Sequence, residues 1–312
     1  MSKQIGVLHR SITIAASAAF VLTWSSGFLI AKVGTVDVPV LTSLVWRFAP
    51  LAVLLIVLAV VRGAHREVGR GDLGRQALIG LFAQLGYCVC VWASVAVGIT
   101  SGTTALIDAV QPLVVATLVG PMLGLRVRGV QWAGLGVGAV GVLLVVGSQL
   151  GGSDAPAVAY LLPAAAMACL VAGTFLAHGA TAQLPVLTTL TVHVTVTAAA
   201  LLVIAALTGT LVPPSSATFW ASVLYAAVFP TLAAYGLYWW LLRRIGITAL
   251  NALLFLVAPT TALAGTLMFA EPFTLLTLAG FALCAAGVGV VLTSEARAAV
   301  RPVAHPREMS VR

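Results

Sequence analysis

The chain has 312 residues, 61% of them hydrophobic and only 8% charged, with a net charge of +8. A soluble domain carries about 25% charged residues, so this composition leaves no surface for water and excludes a soluble fold. The apolar runs are continuous, without the alternation of a transmembrane β-barrel, and the expected class is an all-α integral membrane protein.

A helix needs about 20 apolar residues to cross the hydrocarbon. On that length ten spans are predicted, near residues 11–31, 40–61, 76–97, 100–123, 129–148, 156–177, 185–207, 217–241, 247–270 and 273–293. The first follows Lys3 and Arg10 as a signal peptide would, but it is long and ends on no A-x-A-like cleavage site, so a retained helix is expected. Turns are marked by Val38-Pro39, Gly98, Gly151-Gly152-Ser153-Asp154, Pro213-Pro214 and Pro272. Residues 295–312 read as a mobile cytoplasmic tail. Cys88, Cys90, Cys169 and Cys284 all lie in apolar runs with no CxxC, and read as small buried hydrophobes.

Two stretches are near-copies. Gly98 to Val146 and Gly246 to Leu292 both open on Gly-Ile-Thr, carry a proline inside the first helix (Pro112, Pro259) and continue into a Gly-rich second helix. With the N-terminus in the cytoplasm, the inside segments hold Lys3, Arg10, Arg62, Arg66, Arg70, Arg75, Arg126, Arg128, Arg243, Arg244, Arg297, Arg301, Arg307 and Arg312. The outside loops hold only Lys32, and Arg47 lies within a span. That asymmetry orients the chain with both ends inside and accounts for the positive net charge. Nucleic acid is not an expected partner, because no aromatic-rich basic patch offers bases a stacking platform. Five spans per half put the two halves in opposite orientations: residues 1–150 form a first five-helix repeat and 151–294 a second, inverted one. Inverted repeats mark secondary transporters, whose sites lie near the midplane where the halves meet.

The sequence resembles the drug/metabolite transporter superfamily, specifically its ten-helix EamA type, over nearly its whole length. The residues that carry the resemblance are Trp24-Ser25-Ser26-Gly27-Phe28 in the first span, Arg47-Phe48 in the second, and the acidic hinge Ala270-Glu271-Pro272. In the first half Gly124-Leu125-Arg126 stands at the hinge, so Leu125 replaces the usual Glu. The resemblance implies two five-helix repeats that move small metabolites, often outward.

Ionisable residues inside spans are costly and are functional candidates. Arg47 and Asp108 each lie seven or eight residues from the outer end of their helix, about 11 Å deep, so an ion pair is expected. It is either a static brace or part of the cavity, where Arg47 would meet a substrate carboxylate and Asp108 would take up a proton. Trp24, Ser25 and Ser26 sit too deep for an interfacial belt, and serve either packing or substrate. Gln84, Tyr87 and Cys88 are spaced to share one face, with Trp92 further along. Gln111 precedes the kink at Pro112, and Asn251 lies one turn into the ninth span. Tyr235 is a cavity candidate, whereas Tyr238, Trp239 and Trp240 read as belt anchors near the inner boundary. His193, the only deep histidine, is either hydrogen-bonded to a neighbouring helix or a second proton carrier. No histidines show metal-ligand spacing, and no cofactor is expected.

Together these residues predict a secondary transporter, an exporter of small metabolites such as amino acids, in the bacterial cytoplasmic membrane. Its expected partners are the lipid bilayer and a small-molecule substrate, with a homodimer left open. A sensor or channel derived from a transporter fold is the alternative. An enzyme is disfavoured, because no HExxH, GxSxG, paired carboxylates or Walker A motif occurs.

Overall fold

The structure is a computed structural model that describes residues 2–63, 69–123, 127–147, 155–178, 184–269 and 274–299. The turn at Gly151-Gly152-Ser153-Asp154, the hinges at Gly124-Leu125-Arg126 and Ala270-Glu271-Pro272, and the tail beyond Ala299 lie outside these residues, as do His65 and Arg66. No strand occurs among the described residues.

Helix α1 (Ser2–Gly34) buries Phe20, Trp24 and Phe28, one residue per turn on a single face. Helix α2 (Val40–Val61) starts after Pro39, which cannot donate a backbone hydrogen bond and suits a helix entry. Its Leu44, Phe48, Leu51 and Leu55 are buried, while Val53, Leu54, Val57 and Val61 are exposed. An apolar exposed face is what lipid requires and water forbids. The third segment is α3 (Arg70–Gly80), a π-helical turn (Leu81–Gly86) and α4 (Tyr87–Ala96).

The fourth segment departs from the sequence expectation. Residues 100–123 are not one helix but α5 (Ser101–Asp108) and α6 (Gln111–Leu123), separated at Ala109-Val110. Pro112 is the reason: it removes a backbone N–H and clashes with the preceding turn, so the chain restarts with the proline in the first turn of α6. Helix α7 (Gly129–Gly147) follows.

A 3-10 turn (Ala157–Tyr160) leads into α8 (Leu161–His178), then α9 (Val186–Thr208), which ends on Gly209 in the left-handed region. Next come α10 (Ala217–Ala227), a second π-helical turn (Val228–Ala233) and α11 (Ala234–Leu253). Inside α11, Gly246 has φ 83° and ψ 171° and breaks the helix. Gly98, the matching residue of the first copy, has φ 97°. Both Gly-Ile-Thr openings therefore need glycine for its backbone freedom. A 3-10 turn (Leu254–Leu256), α12 (Val257–Phe269) and α13 (Leu275–Ala299) complete the described chain.

Among the described residues, six helical stretches are long and apolar enough to cross a membrane: Arg10–Gly34, Val40–Val61, Gly71–Ala96, Ala157–Ala177, Val186–Thr208 and Ala217–Phe269. The last has 53 residues. At about 1.5 Å per residue it would far exceed the ~30 Å hydrocarbon core, and Gly246 divides it.

The helices pack in corresponding pairs, α2 against α9 and α7 against α13. The α7–α13 contact is a glycine seam. A methyl group on Gly134 would lie 2.8 Å from the Gly287 carbonyl oxygen, and one on Gly287 would lie 2.5 Å from that of Gly134. Around Gly141 the Gly280 carbonyl and the Cys284 amide leave only 2.6 and 2.7 Å. Small residues of this kind let helix backbones meet closely within a membrane.

Candidate functional site

Trp24 of α1 is the hub of an aromatic cluster. Its ring lies 5.2 Å from Phe20, 5.6 Å from Tyr87, 5.2 Å from Tyr235 and 5.5 Å from Tyr238, the last nearly parallel. This environment explains a tryptophan in mid-span. Tyr238 is completely buried and Trp239 nearly so, which corrects the expectation that both anchor the interface. They face the bundle, and Tyr238 donates to Thr174 Oγ1 at 2.5 Å, because the Thr174 hydroxyl proton goes to the Leu170 carbonyl.

A hydrogen-bond chain runs from this hub. Trp24 Nε1 donates to the Tyr87 hydroxyl at 3.0 Å, and Tyr87 donates to Asp108 Oδ2 at 3.0 Å. Asp108 closes α5, beside the break in the fourth segment. It is 2% exposed, and its other oxygen, Oδ1, has no protein partner.

Arg47 sits elsewhere. Its Nε donates to Thr231 Oγ1 at 2.8 Å, and its guanidinium lies 4.8 Å from the Phe48 ring and 5.6 Å from the Trp92 ring. Arg47 and Asp108 do not form the expected ion pair. Asp108 is held at the level of Tyr87 and Arg47 at the level of Trp92, five residues further along α4, about 7.5 Å apart along the helix. Cation–π contact with desolvated rings stabilises the guanidinium by about 2 kcal/mol, and Thr231 supplies a charge-assisted hydrogen bond.

The two π-helical turns each hold a polar side chain of the other half. Thr231, in the second turn, passes its own proton to the Ala226 carbonyl and presents its lone pair to Arg47. In the first turn, the Ala83 carbonyl accepts from the Tyr235 hydroxyl at 3.0 Å. Cys88 Sγ meets the same hydroxyl at 3.5 Å. Single π turns inside helices free backbone groups and often occur at functional sites. They also shift the side-chain register. Tyr87 turns to Trp24 and Asp108 and Cys88 to Tyr235, while the fully buried Gln84 amide has no partner.

Between these groups lies a cavity of about 20 Å³, walled by Trp24, Gly27, Arg47, Tyr87, Trp92, Pro230 and Tyr235, with Phe28, Cys88 and Val91. That volume holds about one water. Other candidates lie off it. Ser25 donates to the Val257 carbonyl at 3.3 Å and ties α1 to α12, while Ser26 bonds Thr23 in its own helix. Gln111 and Asn251 bond each other at 3.1 Å, linking α6 to α11, and Gln111 Oε1 is left without a partner. His193 Nε2 bonds Gln76 Oε1 at 2.9 Å, and its ring meets Trp239 edge-on. Gly27 and Phe28 entered the sequence reading only within the first-span motif, and Pro230 and Thr231 were not site candidates; the proline inside an apolar run was the available signal for the last two.

Hydrogen bonds between the halves also occur towards both ends of the bundle. At one end Thr42 and Trp46 donate to the Thr210 and Leu211 carbonyls at 2.7 and 2.9 Å. At the other, Arg75 and Arg128 reach the Leu176 and Ser294 carbonyls, both at 2.9 Å.

The EamA-like transporter family matches this chain twice, over residues 11–147 and 157–293. The inner membrane transporter YedA of Escherichia coli K12 is 26% identical over 145 residues, 46% of this chain and 47% of YedA. The YedA proteins of strains O6:H1 and O157:H7 match to the same extent. The match thus spans about half the length of these relatives. A solved crystal structure aligns over 92% of this chain and 99% of its own at 18% identity, with a TM-score of 0.70, a likeness of fold.

Proposed function

Because the chain belongs to the EamA-like transporter family, we propose that it is a secondary transporter that exports small zwitterionic metabolites, such as amino acids, across the bacterial cytoplasmic membrane. The observation that carries this reading is the separation of Arg47 from Asp108. Arg47 walls the aromatic-lined cavity while Asp108 lies behind its Tyr87 wall, so the two buried, oppositely charged groups do not neutralise each other. No protein atom takes the terminal nitrogens of Arg47, which suit a carboxylate. Asp108, behind Tyr87, supplies the complementary charge for an ammonium group, and the rings between them suit an organic cation or an apolar side chain.

In this reading ten spans form two inverted five-helix repeats, residues 1–150 and 151–294, with both termini in the cytoplasm. The halves rock about the site, breaking the Thr42 and Trp46 contacts to open outward and those of Arg75 and Arg128 to open inward. A cavity with room for one water is the occluded form. Asp108 is the favoured proton carrier, since a carboxylate oxygen without a partner in a bilayer costs several kcal/mol and protonation removes that cost. His193, bonded to Gln76, is the second candidate.

The test is counterflow of labelled amino acids into liposomes containing the purified protein, with and without a pH gradient. Saturable exchange abolished by Arg47→Ala is expected. Ion current without saturation would make the protein a channel, and absence of saturable flux for every amino acid would overturn the substrate class.

A further inference from the structure

A second hollow lies on the side of the bundle, away from the central cavity. It has about 790 Å³ and runs between α1, α11–α12 and α13. This is the size of a ligand cleft, roughly 300–1,000 Å³. Its walls are apolar along most of their length, with Ile14, Val21, Leu22, Leu253 and Phe281 among them. Ile14 and Leu22 are more than half exposed.

One end is different. Arg10 of α1 and Arg244 of α11 both border the hollow there. Arg244 is fixed across the gap: its Nε donates to Thr13 Oγ1 at 3.4 Å, and its guanidinium lies 5.7 Å from the Trp240 ring. The neighbouring Arg243 turns away, to Thr189 of α9. Among the described residues no acidic side chain borders the hollow. The pair of cations is thus directed at something outside the protein.

The dimensions narrow the occupant. From Arg10 to Leu22 the wall of α1 rises about 18 Å, close to the ~15 Å of one leaflet of hydrocarbon. By the charge asymmetry the arginine end is cytoplasmic. We propose that this hollow is a binding site for an anionic phospholipid of the cytoplasmic leaflet, with its phosphate between Arg10 and Arg244 and an acyl chain along α1 and α13. Basic pockets between membrane helices on that side suit such headgroups. The lipid would wedge α1, which carries Trp24, against α13, and so bear on the helix at the centre of the transport site.

Native mass spectrometry of the full chain tests this, with phosphatidylglycerol and phosphatidylethanolamine supplied in equal amounts. The wild type should retain phosphatidylglycerol at least tenfold over phosphatidylethanolamine. The double variant Arg10→Gln/Arg244→Gln should lose that preference, and Arg62→Gln, at the end of α2, should keep it. Thr260→Trp, which fills the hollow without removing a charge, should lower retention of both lipids. Equal retention of the two lipids by the wild type overturns the proposal even if the double variant misfolds. So does a double variant with an unchanged preference, or a spectrum dominated by a lipid-free dimer that occupies this face. None of these outcomes depends on whether the protein transports amino acids.

Discussion

Replacing Thr231 by valine keeps shape and volume but removes one oxygen. That oxygen accepts from Arg47 Nε at 2.8 Å and donates to the Ala226 carbonyl at 2.8 Å. Arg47 is only 3% exposed, so water does not replace the lost partner. A hydrogen bond to a charged group contributes about 1.5–3 kcal/mol, equivalent to a roughly ten- to 150-fold change in an equilibrium constant. Part of this appears as lower thermal stability and the rest as misplacement of the guanidinium over Trp92. Thr231→Val should therefore melt earlier in detergent and raise the KM for counterflow by at least tenfold. Thr231→Ser, which restores the oxygen, should stay close to wild type in both. A valine variant equal to wild type in melting and KM would refute the idea that the π turn positions Arg47. So would a serine variant as damaged as the valine one.

Tyr87→Phe removes the bridge between Trp24 and Asp108, leaving both buried groups short of a partner. A loss of about 2–4 kcal/mol in unfolding free energy is expected by denaturation in detergent, from the desolvation cost of unpaired buried groups. Gly287→Ala forces a methyl group to within 2.5 Å of the Gly134 carbonyl and should cost about 1–3 kcal/mol. Gly136→Ala, with nothing within 4 Å, should be neutral or stabilise by up to about 1 kcal/mol; thermal melting of the two side by side checks the seam. The exchange Arg47→Asp/Asp108→Arg should not recover counterflow lost in either single variant, because each charge answers to a different partner; recovery would show direct pairing.

Much of the helix pattern was legible because hydropathy and length act locally. The two Gly-Ile-Thr openings were readable as a repeat, and both glycines take positive φ. Pro112 announced a distortion, but not that the segment would separate between Asp108 and Gln111. Equal depth suggested that Arg47 and Asp108 meet; depth says nothing of rotation about the bundle or of competing partners such as Thr231 and Tyr87. The π turn at 81–86 left no mark in composition, and that at 228–233 left only Pro230, which did not point to Thr231 as the partner of Arg47. Tyr238 sits where an anchor would, and only the packing around Trp24 reveals that it points inward.

The glycine seam has a further meaning. Gly134 of α7 meets Gly287 of α13, and Gly141 of α7 meets Gly280 of α13, so the early glycine of each helix faces the late glycine of the other. Such reciprocity is the signature of a two-fold interface between identical subunits. Here both surfaces belong to one chain. The seam therefore gives one polypeptide, between its two family-matched segments, the kind of contact that joins identical subunits. Away from the seam the two halves differ, one holding Arg47 and Asp108 and the other Thr231 and Tyr235.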